Sequence, residues 1–219
     1  MDEIKYYLWA SYHRKILDKL LEKKKKYFQG IVLDIGGRDR GKFNKPKKSV
    51  IKWIFADIVP ENKPDIVLDV ENMHSIKNNS INTICAIELF EHVKNPERGI
   101  KECFRILKNE GHFIVSAPFM YYIHADPHDY QRWTNEKWKI ELNKVGFSIH
   151  SIKQIGLFFT VFSDMIKTLN KSLPRLLRYF GYIFYPLLTL IIKFDNLKII
   201  KKNRILNKFT TGYFIIAKK

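Results

Sequence analysis

Between residues 31 and 119, short runs rich in β-branched residues alternate with polar connections, and few architectures tolerate that rhythm. The runs are IVLDIGG (31–37), KWIFADI (52–58), PDIVLDV (64–70), INTICAIELF (81–90) and GHFIVSAPF (111–119). Each is a strand by length and residue type, and most are too continuously apolar to show one face to water. Residues 95–108 and 134–146 carry helical periodicity between them, and FSIHSIKQIG (147–156) and TTGYFIIAKK (210–219) add two further strands. Strands alternating with helices predict a doubly wound α/β sheet of seven strands, mostly parallel.

An amphipathic helix is expected over residues 3–28, with Lys23–Lys26 suiting its C-terminal dipole and Gly30 stopping it. Residues 156–209 form a helical insertion before the last strand. The chain thus divides into three units: 1–155 as core with N-terminal helix, 156–209 as a basic, apolar insertion, and 210–219 as a strand returning to the sheet. In the insertion, Asp164, Lys167, Thr168 and Lys171 make a polar stripe on an apolar helix. Ser172 is the expected N-cap of the next helix, with Pro174 in its first turn. Residues 179–192 hold no charge, which is shorter than the roughly 20 residues a membrane span needs.

Charge sharpens this picture. The net charge is +17, and residues 155–219 hold nine Lys and three Arg against two Asp, a local +10. Cations flanking apolar helices suit an anionic membrane surface, and the alternatives are a cap on the sheet or a dimer interface. Cys85 and Cys103 have no metal-ligand spacing, so free buried thiols and no metal site are expected. The stretch MDEIKYYLWASYHRK lacks the uninterrupted apolar run of a secretory signal, so the chain is expected in the cytoplasm, peripheral on the inner face of the membrane.

The ends of the strands carry the chemistry. Asp34, Gly36 and Gly37 close the first strand, where glycine lets backbone approach a ligand. Asp57 closes the second, 23 residues on, where a carboxylate can hold ribose hydroxyls, and Asp69 closes the third. The dinucleotide pattern G-x-G-x-x-G fails in GGRDRG at its second glycine.

With the block AIELFEHVKNPERGIKECFRILKNEGHFIVSAPF (86–119), these residues resemble the class I S-adenosylmethionine-dependent methyltransferases, over residues 31 to 155. The resemblance implies a Rossmann-like fold whose last strand is antiparallel, and S-adenosylmethionine as cofactor. It implies Gly36 and Gly37 beneath the methionine part, with Asp34 supporting the loop. Asp57 would hold the ribose and Ile58 pack on the adenine. Asp69 would approach the adenine amino group, with Val70 beside it. Glu88 would face the methionine end and His92 the substrate mouth. The chain departs from the family pattern at Arg38, where another glycine is usual.

HADPHDYQRWT (124–134) comes after the fifth strand and is placed to roof that crevice. Its PHDYxRWT part resembles the branch of the family found in sugar and polysaccharide biosynthesis. Methyl transfer to a hydroxyl needs alignment, dry surroundings and a proton acceptor. His128 and His124 are the candidate bases, with Asp126 or Asp129 to orient them. Tyr121, Tyr122, Tyr130 and Trp133 offer flat faces to a sugar, and Arg132 can hold an anionic group. The plainer reading makes Asp129–Arg132 a salt bridge, Trp133 a core plug and Thr134 a helix cap. The expected activity is methyl transfer to a sugar or glycan acceptor, lipid-linked or free. A non-catalytic binding protein and an RNA methyltransferase are the alternatives; no RNA-binding module is recognisable, so nucleic acid is not the expected partner.

Overall fold

The seven expected strands are β1 (Gly30–Ile35), β2 (Val50–Asp57), β3 (Ile66–Val67), β4 (Ile81–Ile87), β5 (Leu107–Pro118), β6 (Ser148–Gln154) and β7 (Gly212–Lys218). The computed structural model describes residues 2–37, 41–124 and 127–219, so Arg38 and Asp126 lie outside the described residues. The sheet order is β3-β2-β1-β4-β5-β7-β6. The first five strands are parallel, and β7 runs antiparallel between β5 and β6. The doubly wound reading therefore holds, antiparallel last strand included.

Side-chain alternation sorts the two layers. Leu33, Ile84 and Val115 face a core completed by α3 (Pro96–Ile106) and α4 (Asn135–Val145) through Ile100, Cys103, Trp138 and Leu142. Val32, Cys85 and Ile114 face the opposite side, closed by Leu17 and Leu21. Both cysteines are buried and free, as expected. Each fully buried aliphatic side chain contributes about 1.5–3 kcal/mol, which is why central strands can dispense with polar residues. The third strand is only two residues long. The fifth begins at Leu107, directly where α3 ends, instead of after the turn glycine.

The N-terminal helix is not continuous. It is broken into α1 (Glu3–Trp9) and α2 (Tyr12–Lys23), with Ser11 capping the second by accepting from Arg14 N. Gly30 does not end a helix but opens β1 with φ +58°. A β-carbon there would meet the Asn82 side chain at 2.5 Å.

That break is held by α5 (Phe158–Ser172), the first helix of the insertion. Asp164 accepts from Tyr12 N at 2.6 Å and His13 N at 2.8 Å, satisfying orphan donors at the start of α2. Lys167 donates to Ala10 O at 2.6 Å and Tyr7 O at 3.1 Å, satisfying carbonyls at the end of α1. Asp164 and Lys167 of the polar stripe are thus buried and Thr168 and Lys171 half-buried, while Phe162, Met165 and Leu169 are exposed. At the other end Asp195 caps α5 through Leu157 N, Phe159 N and Thr160 N.

Ser172 does not cap the next helix. It closes α5, its hydroxyl donating to Leu169 O, and Pro174 stands at the N-cap of α6 (Arg175–Tyr182). The uncharged run divides between α6 and α7 (Tyr185–Ile191), with α8 (Lys198–Lys202) beyond. No single helix among the described residues is long and apolar enough to cross a membrane; α6 and the segment from Tyr185 to Asn196 make a pair bent by 49°.

Candidate active site

The carboxyl ends of β1, β2 and β4 open onto one crevice, as parallel strands of a doubly wound sheet require. Chain direction after β1 is set by Gly36, whose φ is +70° and whose N–H donates to Ala56 O at 2.8 Å. Gly37 lies against the buried Asp34 so closely that a β-carbon would fall 2.0 Å from its carboxyl carbon. Asp34 in turn accepts from Trp53 Nε1 at 2.9 Å. No other residue type fits at Gly37 while Asp34 keeps that position.

Asp57, also buried, ends β2 and accepts from Val59 N and Asn62 Nδ2, each at 2.9 Å. Those contacts fix the position of the carboxylate at the end of β2. Asp69 lies two residues beyond β3 and makes an Asx-type turn, accepting from Glu71 N at 2.9 Å.

A cavity of about 260 Å³ collects Gly36, Asp57, Ile58, Asp69, Val70 and Glu88 from the strand ends, with His92, His128 and Tyr130 on its rim. A second, of about 250 Å³, lies under α2 and takes in Asp34, Gly37, Arg14 and Trp53. The two share Gly36 and Glu88. The structure therefore brings together every residue that the resemblance assigns to cofactor.

Glu88 is the pivot. Its φ is +53°, an uncommon conformation for a residue with a side chain. Its Oε1 accepts from Ser116 Oγ at 2.6 Å, and its Oε2 lies 3.1 Å from His13 Nε2, close but not aligned as a hydrogen bond. Burial alone would raise its pKa, yet the His13 ring, Arg14 and the Ser116 hydroxyl outweigh that and hold it below the usual carboxylate range. His13 and Arg14 carry no signal in the sequence. They sit in the first turn of a helix more than 70 residues away from Glu88, and only the fold delivers them.

The roof is partly brace and partly rim. Asp129 receives a bidentate grip from Arg132, one contact at 2.6 Å, whose hydrogen bonds hold its carboxyl down to about 2. Asp129 also accepts from His124 N at 2.9 Å and lies 3.5 Å from His124 Nδ1. Trp133 is buried against Trp138, and Thr134 caps α4 by accepting from Lys137 N. His128 is exposed, its ring beside Tyr130 and its carbonyl accepting from His92 Nδ1 at 2.6 Å. Glu91 is buried, and burial with the nearby Glu88 charge raises its pKa. It stands next to His92 in sequence and has no distinguishing mark there.

Residues 44–115 match the family model of a methyltransferase domain. The match covers about a third of the chain, and over that stretch the chain is similar to a methyltransferase domain. Solved structures of the same fold include the [4+2]-cyclase SpnF, with TM-score 0.60, 13% identity, and coverage of 93% of this chain and 79% of that one. A SAM-dependent methyltransferase from Archaeoglobus fulgidus has TM-score 0.59 at 18% identity, covering 99% and 98%. Phosphoethanolamine N-methyltransferase 2 from Haemonchus contortus, solved in complex with S-adenosyl-L-methionine, has TM-score 0.57 at 14% identity, covering 93% and 52%. No curated protein sequence matches. The fold is the one these structures share, and the likeness over residues 44–115 makes S-adenosylmethionine, which delivers a methyl group from sulfur, the cofactor against which the crevice is tested. The residues present fit that cofactor: a glycine with no room for a β-carbon, a buried acid at the end of β2, and a cavity between them.

Proposed function

We propose that this enzyme methylates a hydroxyl oxygen of a sugar or glycan intermediate at a membrane surface. The observation that carries the methyl-transfer part is the single crevice in which Asp57, Asp69 and Glu88 meet His92, His128 and Tyr130. Asp57 holds the ribose hydroxyls, Ile58 and Val70 enclose the adenine, and Gly36 with Glu88 borders the methionine end. When bound, S-adenosylmethionine supplies an activated methyl on a sulfonium. The chain's own task is to align the acceptor oxygen, keep water out and accept its proton. His128 at the rim is the base of this reading, with Tyr130 and Tyr122 as flat surfaces for a sugar ring. The new bond joins methyl carbon to acceptor oxygen. The methyl–sulfur bond would break with its electron pair left on sulfur, and the hydroxyl proton would go to His128.

The membrane part rests on the inverted helix α5 and on the helices after it. Asp164 and Lys167 of α5 point inward, while Phe162, Met165 and Leu169 point outward and Val161 stays buried. The exposed side chains continue through Leu176, Phe180, Ile183, Leu187 and Phe194. Contiguous apolar surface of this kind marks an interaction site. Arg175, Lys193, Lys198, Lys201, Lys202 and Arg204, all exposed, surround it in sequence, which favours an anionic lipid surface over a second, equally basic copy of the chain.

Calorimetric titration with S-adenosylmethionine tests the first part. Saturable binding is expected, weakened about 30–150-fold in Asp57→Ala, the cost of two ribose hydrogen bonds at about 1–1.5 kcal/mol each. A folded protein that binds none, or an Asp57→Ala variant that binds equally well, would sink the reading. The acceptor class is tested by incorporation of labelled methyl into a membrane glycan extract. His128→Ala should abolish it without changing cofactor affinity.

A further inference from the structure

At the rim of the crevice a buried carboxylate has nothing to hold it. Glu91 is 2% exposed, and among the described residues neither of its side-chain oxygens accepts a hydrogen bond. A carboxylate out of water without donors is costly, and the usual remedies are a proton or a cation. Nothing in the methyl-transfer chemistry above uses it.

Two imidazoles face it. His92 Nε2 lies 3.6 Å from Glu91 Oε1, and one donor atom from each of Glu91, His92 and His124 falls within 4.8 Å of the others. The hydrogen bonds of these rings decide which nitrogens carry protons. His92 Nδ1 meets His128 O at 2.6 Å, and a carbonyl only accepts, so the proton is on Nδ1 and the Nε2 lone pair is left for a ligand bond. His124 Nδ1 meets two acceptors, Tyr122 O at 3.2 Å and Asp129 Oδ2 at 3.5 Å, which leaves Nε2 of that ring likewise. Outer contacts of this kind orient metal-binding histidines. The Arg132 grip on Asp129 fixes the second of them.

We infer that Glu91, His92 and His124 form a binding site for a divalent first-row transition ion at the acceptor side of the crevice. Two imidazoles and one carboxylate suit Mn²⁺, Fe²⁺ or Zn²⁺ and leave positions open for further oxygens. With metal–ligand bonds of about 2.1 Å, neighbouring ligand atoms lie about 3–3.5 Å apart, so binding draws the three together by about an ångström. His92 lines the same cavity as His128 and Tyr130. An ion there reaches the oxygens of a vicinal diol, a common feature of sugars. It orients one hydroxyl and makes its proton easier to remove, leaving His128 as the base. That catalytic use rests on the methyl-transfer reading; the ion site itself does not.

The test uses the full chain, free of any affinity tag and stripped with chelator, titrated with MnCl₂ and separately with ZnCl₂ in the absence of cofactor and acceptor. One ion per chain is expected, and Glu91→Gln and His124→Ala should each weaken binding at least tenfold. His124 lies in a loop outside the core, so its variant keeps the test valid if Glu91→Gln melts early. The inference is overturned if the folded chain binds neither ion saturably, or binds them equally well in His124→Ala. S-adenosylmethionine affinity measured on the same metal-free samples separates this failure from failure of the methyl-transfer reading.

Discussion

Replacing Phe180, Ile183 and Leu187 together by Ser tests the apolar outer surface directly. These side chains are 60%, 71% and 55% exposed, so each leaves more than half of its surface in water. Complete transfer of such a side chain from water contributes about 1.5–3 kcal/mol. The exposed share is then about 1 kcal/mol per residue and about 3 kcal/mol for the three. At about 1.4 kcal/mol per tenfold change, the triple variant should partition about a hundredfold less onto vesicles, and each single variant about fivefold less. The assay is co-flotation with vesicles containing phosphatidylglycerol, beside neutral phosphatidylcholine vesicles. Lys201→Gln with Lys202→Gln should weaken only the anionic case, because surface attraction adds about 1 kcal/mol per cation near the membrane. Thermal stability should hold in the triple variant, since these side chains face away from the core. Wild-type protein that stays in solution with anionic vesicles refutes the argument. So does a triple variant that floats as well as wild type, or one whose only change is loss of a dimer in sedimentation velocity.

Two further outcomes concern the interior. In Gly37→Ala the new methyl would stand 2.0 Å from the Asp34 carboxyl carbon, forcing Asp34 off Trp53. The expected cost is about 2 kcal/mol, or about 4–8 °C in melting temperature, with weakened cofactor binding; unchanged melting would show that Asp34 is not fixed. Burial pushes the Lys167 pKa down from 10.5 to about 7, so between those values the unfolded chain binds the extra proton. Stability should therefore rise with pH from about 7 towards 10.5. Lys167→Met should flatten that rise in melting curves taken across the window, and an identical slope in the variant would refute the assignment.

Much of the fold is legible because it depends on periodicities of nearby residues. Strand identity and order along the chain, the acids at the strand ends, and the cap at Thr134 are local facts of composition. The exceptions have local causes too. The break at Ala10–Ser11 is invisible because the apolar spacing runs on through it, and what stabilises it, Asp164 and Lys167, lies more than 150 residues away. For α5 the sequence shows a polar stripe and an apolar face but not which one turns inward, and the usual rule points the wrong way. At the site, the residues named for the cofactor share one crevice because parallel strands end at one edge. His13, Arg14 and Glu91 are missed for the opposite reason. Two arrive by way of a distant helix, and the third is distinguished only by the partners it lacks.

The same helix that turns its apolar side outward also sets part of the catalytic edge. Asp164 takes the first N–H groups of α2, and this fixes His13, the second residue of that helix, 3.1 Å from Glu88. On its flank α5 meets the residues after β5 around a cavity of about 390 Å³, lined by Val161 and Met165 on one side and by Tyr121 and Tyr122 on the other. Both tyrosine rings lie within 6 Å of His124. Asp164 and Thr168 line the cavity as well, so its apolar share on α5 is Val161 and Met165 and its aromatic share the two tyrosines. A lipid-linked acceptor of the kind proposed would use both, its chain against the first and its sugar against the second, whereas a free sugar would use the tyrosines alone.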